Sequence, residues 1–344
     1  MRTYVLFILA LAFGPALVFS DTNFRQAWKQ ELAENEYFSK PPLITKNIVY
    51  FQLINQHAPF IRAVRIATGE VLWEKEVEPR ASIVYHNGEL LVQSQELYSY
   101  DAESGNLNYI VPLADEQKLN FGVGVTFSSI IALSSGQIQS INPKTLQLNW
   151  TMQANMSYQE PAINHRYIVN ATERGVAIYS TKTGKLLADI DSGGYLVHSS
   201  PLLDHANGAV YSCFKEDNHR GAESLFAFDL ETRKIKWIAP NEYGQPAVAN
   251  NEIFIKSYLE NQLDVLDAAT GKIKWSWTPD DGGGFIRNFP SPVVTKELVF
   301  VSTTTKTYAI SRKTREVAWQ TDLVGDLALG HNLLLIGGSA FLLR

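Results

Sequence analysis

Residues 266–279 read LDAATGKIKWSWTP. An apolar strand reaches an aspartate, a tight Thr-Gly turn reverses the chain, and a second strand carries tryptophan. Aligned on the turn Thr or Ser, the pattern recurs at Thr68, Ser104, Thr145, Thr183, Thr232, Thr270 and Thr314. Five residues after each stand Trp73, Tyr109, Trp150, Ala188, Trp237, Trp275 and Trp319. Three before it the chain often places Asp101, Asn142, Asp229 or Asp267, and five before it a small residue: Ala63, Ser99, Ser140, Ala227 or Ala309. In a β-hairpin each position has a physical task. The Asx oxygen accepts from turn amides, and Gly69, Gly105, Gly184 and Gly271 supply a positive φ. The aromatic ring is then expected to pack on a neighbouring unit where a small residue leaves room.

Between these copies runs a second hairpin, often opened by Pro, as in PPLITKNIVYF, PAINHRYIVNA and PVVTKELVFVS. Four strands per unit, spaced 36 to 49 residues apart on the aromatic position, are the mark of β-propeller blades. After Trp319 the chain offers DLALGHNLLLIGGSAFLLR, a further first hairpin and a third strand without a fourth. The N-terminal FRQAWKQEL carries Trp28, 45 residues before Trp73 and in register. The expectation is an all-β, eight-bladed propeller of four-stranded blades. The N-terminal strand completes the last blade, and residues 21–344 form a single domain.

Composition bounds the function. Residues 1–20, MRTYVLFILALAFGPALVFS, read as a cleavable secretory signal, with Arg2 before an apolar run that Gly14 and Pro15 interrupt. Its removal takes away Arg2 and no acid, leaving 29 of the 30 basic residues against 35 acidic ones and a net charge of −6. That argues against a nucleic-acid footprint. No later stretch is long and apolar enough for a transmembrane segment. Cys213 is the only cysteine, so stability is expected from packing without an internal disulfide.

The motif A-x-D-x-x-T-G-x-x-x-W, at Ala227–Trp237 with Arg233 for Gly and at Asp267–Trp275, is similar to the tryptophan-docking repeat of quinoprotein, or PQQ-like, propellers. Within that superfamily the eight-bladed exported chain resembles the BamB family, propeller subunits of the bacterial outer-membrane β-barrel assembly machinery. The resemblance implies a non-catalytic periplasmic scaffold, monomeric within a complex, whose partners are proteins of such machinery and which takes no cofactor. No Cys follows the signal, so a lipid anchor is not expected, and ADIDSGG at 188–194 is a weak counterpart of the family's acidic docking loop. The alternative reading is a small quinoprotein-like dehydrogenase or a ligand-binding propeller; the quinoprotein dehydrogenases it would resemble hold quinone and calcium at the propeller centre with Glu, Asn and Asp. Many of them close a disulfide between adjacent cysteines, which one cysteine excludes.

Other chemistry is thin. His57, His86, His165, His198, His205, His219 and His331 are scattered through the blades without zinc-site spacing. His198 beside Ser199 and Ser200 lacks a nucleophile elbow. DDGGG at 280–284 lacks the Lys-Ser/Thr of a phosphate loop and the alternating acids of a calcium loop. NWT, NMS and NAT at 149, 155 and 170 fit the N-glycosylation pattern and keep a eukaryotic secretory origin open. The long connections at 113–122, 189–200, 213–224 and 278–291 all emerge on one propeller face. That face is the expected docking surface, with Tyr195, Phe285, Ile286, Arg287 and Phe289 as anchors, because aromatics and Arg dominate interface energetics.

Overall fold

The computed structural model describes residues 24–56, 58–79, 81–113, 120–134, 136–154, 159–216, 223–280, 282–285 and 291–343, with nothing stated of the side chains of 120, 121, 134 and 216. The signal segment lies outside these. The described chain is strand and turn throughout, without helix, and forms eight antiparallel sheets, the blades. Blade 2 is representative: Ser82–His86 innermost, then Glu89–Gln93, Leu97–Asp101 and outermost Leu107–Val111. Two blades have a broken inner strand, Tyr37–Phe38 with Leu43–Ile44 in blade 1 and Tyr195–Val197 with Leu202–Asp204 in blade 5. Blade 8 is Leu327–Gly330, Leu333–Ile336 and Ser339–Leu343, completed by Phe24–Lys29. Closure through a strand from the other terminus leaves no blade short of a strand.

Burial follows position. Second and third strands are almost wholly buried, whereas outer strands alternate, as in Val71–Glu76 and Ile273–Trp277. The core consists of apolar clusters between adjacent blades, such as Val210, Phe214, Phe226 and Phe228 against Val176 and Ile178.

The repeated motif is the clamp between blades. The indole N–H of four docking tryptophans donates to a carbonyl in the next blade's outer turn: Trp28 to Ile66 at 2.6 Å, Trp73 to Ala102 at 3.2 Å, Trp150 to Lys182 at 3.1 Å and Trp237 to Ala268 at 3.2 Å. The ring lies on that turn's glycine. A Cβ on Gly105 would stand 2.8 Å from Trp73 Cγ, and one on Gly184 2.7 Å from Trp150 Cε3. Both glycines have positive φ, 68° and 71°, so glycine answers two demands at once. Where Arg315 replaces Gly its guanidinium lies 5.9 Å from the Trp275 ring, and Trp319 stacks at 4.6 Å on Phe24 of the closing strand.

One expectation needs correction. The small residue five before the turn is not on the neighbouring blade. Ala63, Ser99, Ser140, Ala227 and Ala309 stand opposite Trp73, Tyr109, Trp150, Trp237 and Trp319 in the same blade. The sheet itself makes room for the ring, and glycine makes room next door. Blade 4 inverts the sizes, with Ile178 opposite Ala188. The Asx residues behave as expected. Asp267 Oδ1 accepts from Ala269 N, Thr270 N and Thr270 Oγ1, and these bonds, the Thr270 hydroxyl first, hold its carboxyl below the usual range. Trp277 meets Tyr308 edge-on at 4.9 Å and extends the packing between blades 6 and 7.

Candidate interaction face and channel mouth

Strand direction sorts the connections. Loops between second and third strands and loops between blades emerge at one end, called the top; inner-hairpin turns and docking-motif turns emerge at the bottom.

At the top, Tyr195 lies in a short strand whose partners 195↔216, 196↔215 and 197↔214 carry blade 5 upward. Segment 189–200 is therefore partly sheet, and Tyr195 packs edge-on against Phe226 at 5.1 Å, half-buried. Phe285 is half-buried against the cluster between blades 6 and 7. Its N–H donates to Asn261 Oδ1 at 2.8 Å, while Gly284 exchanges bonds with Thr304. The end of the Gly-rich stretch is thus pinned to the top loops of blades 6 and 7. Ile286, Arg287 and Phe289 lie outside the described residues.

The mouth of the central channel is collared by the residues that lead into the inner strands. Lys40 Nζ donates to Ala81 O at 3.2 Å, Val123 N to Ser82 Oγ at 3.4 Å, Glu160 N to Ser200 Oγ at 3.2 Å and Gln245 Nε2 to Ser200 O at 3.1 Å. Each links one blade to the next. Lys40 of blade 1 also pairs with Glu160 of blade 4; those blades are not neighbours, so this ion pair crosses the channel.

Below the collar, Lys256 is 1% exposed. Burial lowers its ammonium pKa to about 7, opposed by Asp326, whose own carboxyl is raised by burial and pulled back by Lys256. Lys256 also lies 5.9 Å from the Phe285 ring. Cys213 is fully buried, its thiol donating to Gly244 O at 3.2 Å. Burial pushes that thiol up to about 12, the opposite of what a nucleophilic cysteine needs.

A calcium-bound quinone at the propeller centre would need several oxygen ligands converging on the axis. Here Glu160 is engaged by Lys40, Asp326 by the field of Lys256, and no cluster of three His, Cys, Asp or Glu side chains forms among the described residues. The donor set does not fit that group. Nor does Asn170 suit a glycan, being fully buried in blade 4.

The bottom holds what the sequence reading missed. His86, His165, His205 and His331 all lie at the tips of inner hairpins, gathered around the lower channel mouth. His165 meets His205 edge-on at 5.3 Å and Phe127 at 5.9 Å. The signal was available: each of these histidines falls in the turn of a recurring hairpin. His57 and His219 lie outside the described residues, and His198 faces Glu223 at 3.5 Å near the top.

The sequence profile described as outer membrane protein assembly factor BamB matches residues 57–276 and 207–326. Comparison with curated protein sequences gives no match. Among solved structures, the computationally designed Ika8 protein is similar at a TM-score of 0.70 and 13% identity, covering 93% of this chain and 99% of that one. BamB from Moraxella catarrhalis is similar at 0.65 and 12%, covering 92% and 98%. A europium-containing methanol dehydrogenase is similar at 0.58 and 11%, covering 90% and 83%. At such identities these structures speak to fold alone. Repeat, clamp and closure agree with the profile: this chain belongs to the outer membrane protein assembly factor BamB family of PQQ-repeat propellers.

Proposed function

We propose that this protein is a non-catalytic, exported scaffold that holds protein partners together in the bacterial envelope, in outer-membrane protein assembly or a comparable complex. The observation that carries the reading is the channel mouth. Where a quinoprotein would gather carboxylates around a metal, this chain spends Glu160 on a cross-channel pair with Lys40 and links neighbouring blades through Ser82, Ser200 and Gln245. A closed ring of eight blades suits docking. Segments 113–122, 189–200, 213–224 and 278–291 supply the surface, with Tyr195, Phe285, Ile286, Arg287 and Phe289 as its anchors. Tyr195 and Phe285 contribute as half-buried rings already held by packing, which limits the entropy lost on binding.

The test is a crosslinking pull-down of the mature protein from its native envelope, with mass spectrometry of partners and of any bound small molecule. Barrel-assembly components recovered with an empty propeller support the scaffold. A quinone recovered with calcium, and no stable protein partner, reverses the assignment. If Phe285→Ala with Arg287→Ala leaves recovery of the partner unchanged, the docking surface lies elsewhere.

A further inference from the structure

Blades 4 and 5 meet without an aromatic clamp. Where the repeat places its docking ring, blade 4 carries Ala188, the one copy of the motif with no aromatic residue there. Where other outer turns have glycine, blade 5 carries Arg233 at φ 58°. Arg233 Nη1 donates to Leu187 O at 2.7 Å, so an exposed hydrogen bond takes the place of the ring at this outer edge. On the inner side of the same joint stand His165 and His205, each at the tip of an inner hairpin, in 162–172 of blade 4 and 202–216 of blade 5.

Both tips are fixed by their own turns. Asn164 Oδ1 accepts from Arg166 N and Tyr167 N at 2.8 Å, and His165 O accepts from Thr181 Oγ1 at 2.9 Å. Asp204 Oδ1 accepts from Ala206 N and Asn207 N at 3.0 and 3.2 Å, and its Oδ2 from Asn207 Nδ2 at 2.6 Å. The imidazoles themselves are exposed, and among the described residues neither ring makes a hydrogen bond or an ion pair. Their centres stand 5.3 Å apart at an interplanar angle of 83°. Two imidazoles bound through nitrogen to one tetrahedral Zn(II), at about 2.0–2.1 Å each, have their ring centres about 5.2 Å apart. Rotation about Cβ–Cγ leaves a ring's centre in place while swinging its nitrogens, so an edge-on pair at this spacing becomes a ligating pair without moving either backbone.

We propose that His165 and His205 form a two-imidazole site for Zn(II) or a similar late first-row divalent ion, tying blade 4 to blade 5 across the joint that has no aromatic clamp. Imidazole suits Zn(II), Cu(II) and Ni(II), whereas hard cations take oxygen ligands. Two protein ligands leave the remaining positions to water, so the ion is exchangeable and not a permanent part of the fold. The flanking charges offset each other, since buried Asp204 precedes His205 and exposed Arg166 follows His165. Phe127, its ring 5.9 Å from His165, walls the blade 3 side. The site lies at the bottom and owes nothing to the partners of the top face.

The test is calorimetric titration of the mature protein, first freed of metal by a chelator, with ZnCl2 and with MgCl2 as the hard-cation control. Zn(II) is expected to bind and Mg(II) not. His165→Ala and His205→Ala should each lower Zn(II) affinity at least about tenfold, because loss of a ligand costs no less than loss of a residue that merely orients one. His86→Ala and His331→Ala leave it unaltered. All four side chains sit at hairpin tips, and unchanged circular dichroism verifies that each variant folds. Zn(II) should also raise the thermal midpoint of the wild type and leave that of His205→Ala in place. Failure of Zn(II) to bind, binding indifferent to both substitutions, or an equal rise in midpoint for wild type and His205→Ala overturns the proposal.

Discussion

Blade 2 contains two glycines with positive φ that differ in one respect. A Cβ on Gly88, at φ 87°, meets nothing within 4 Å, whereas one on Gly105, at φ 68°, meets Trp73 Cδ2 and Cγ at 2.8 Å. Both Ala variants incur the left-handed backbone cost of about 1–2 kcal/mol, offset by about 0.4–1 kcal/mol from the stiffer unfolded chain. Gly88→Ala should therefore lose about 1.5 kcal/mol or less. Gly105→Ala must in addition push the ring off the turn, about 1–3 kcal/mol for overpacking. It also strains the indole bond to Ala102 O, worth about 1 kcal/mol. The expected difference between the variants is about 2–4 kcal/mol. Urea unfolding followed by tryptophan fluorescence and by far-ultraviolet circular dichroism measures it. Equal midpoints for the two variants would refute the clamp reasoning, since backbone strain alone would then explain both.

Four further outcomes are expected. Trp28→Ala removes the clamp of the closing blade, including the bond to Ile66 O. It should cost about 3–5 kcal/mol and raise hydrogen exchange first in Phe24–Lys29 and Ser339–Leu343; uniform exchange would contradict the closure role. Lys256 has a folded-state pKa lowered to about 7 from 10.5, so between those values the unfolded chain binds the extra proton and the wild type gains stability as pH rises. Against Lys256→Met the wild type should look worst below pH 7 and improve toward pH 10; a pH-independent difference counts against a neutral buried amine. A double-mutant cycle on Lys40 and Glu160, whose side chains are 29% and 52% exposed, should return no more than about 1 kcal/mol, while a larger coupling would make this pair a principal tie across the channel. Cys213 should resist a thiol reagent at pH 8 until the protein unfolds, and rapid labelling of the native state would disprove its sealed burial.

What the sequence determined by itself is the repeat. The spacing from Thr270 to Trp275, copied around the chain, dictates hairpins because turn chemistry and strand alternation are local properties. The in-register Trp28 predicts closure, because a propeller cannot leave one blade a strand short. Tertiary structure decided what each repeated residue touches. Sequence spacing could not tell that Ala63 faces Trp73 within its own blade while Gly105 receives that ring in the next, since both lie within a few residues of a turn. Nor could it foresee that Lys40 and Glu160, 120 residues apart, meet across the channel, or that His165 and His205 pair. Such meetings depend on the curvature that closes eight sheets into a ring.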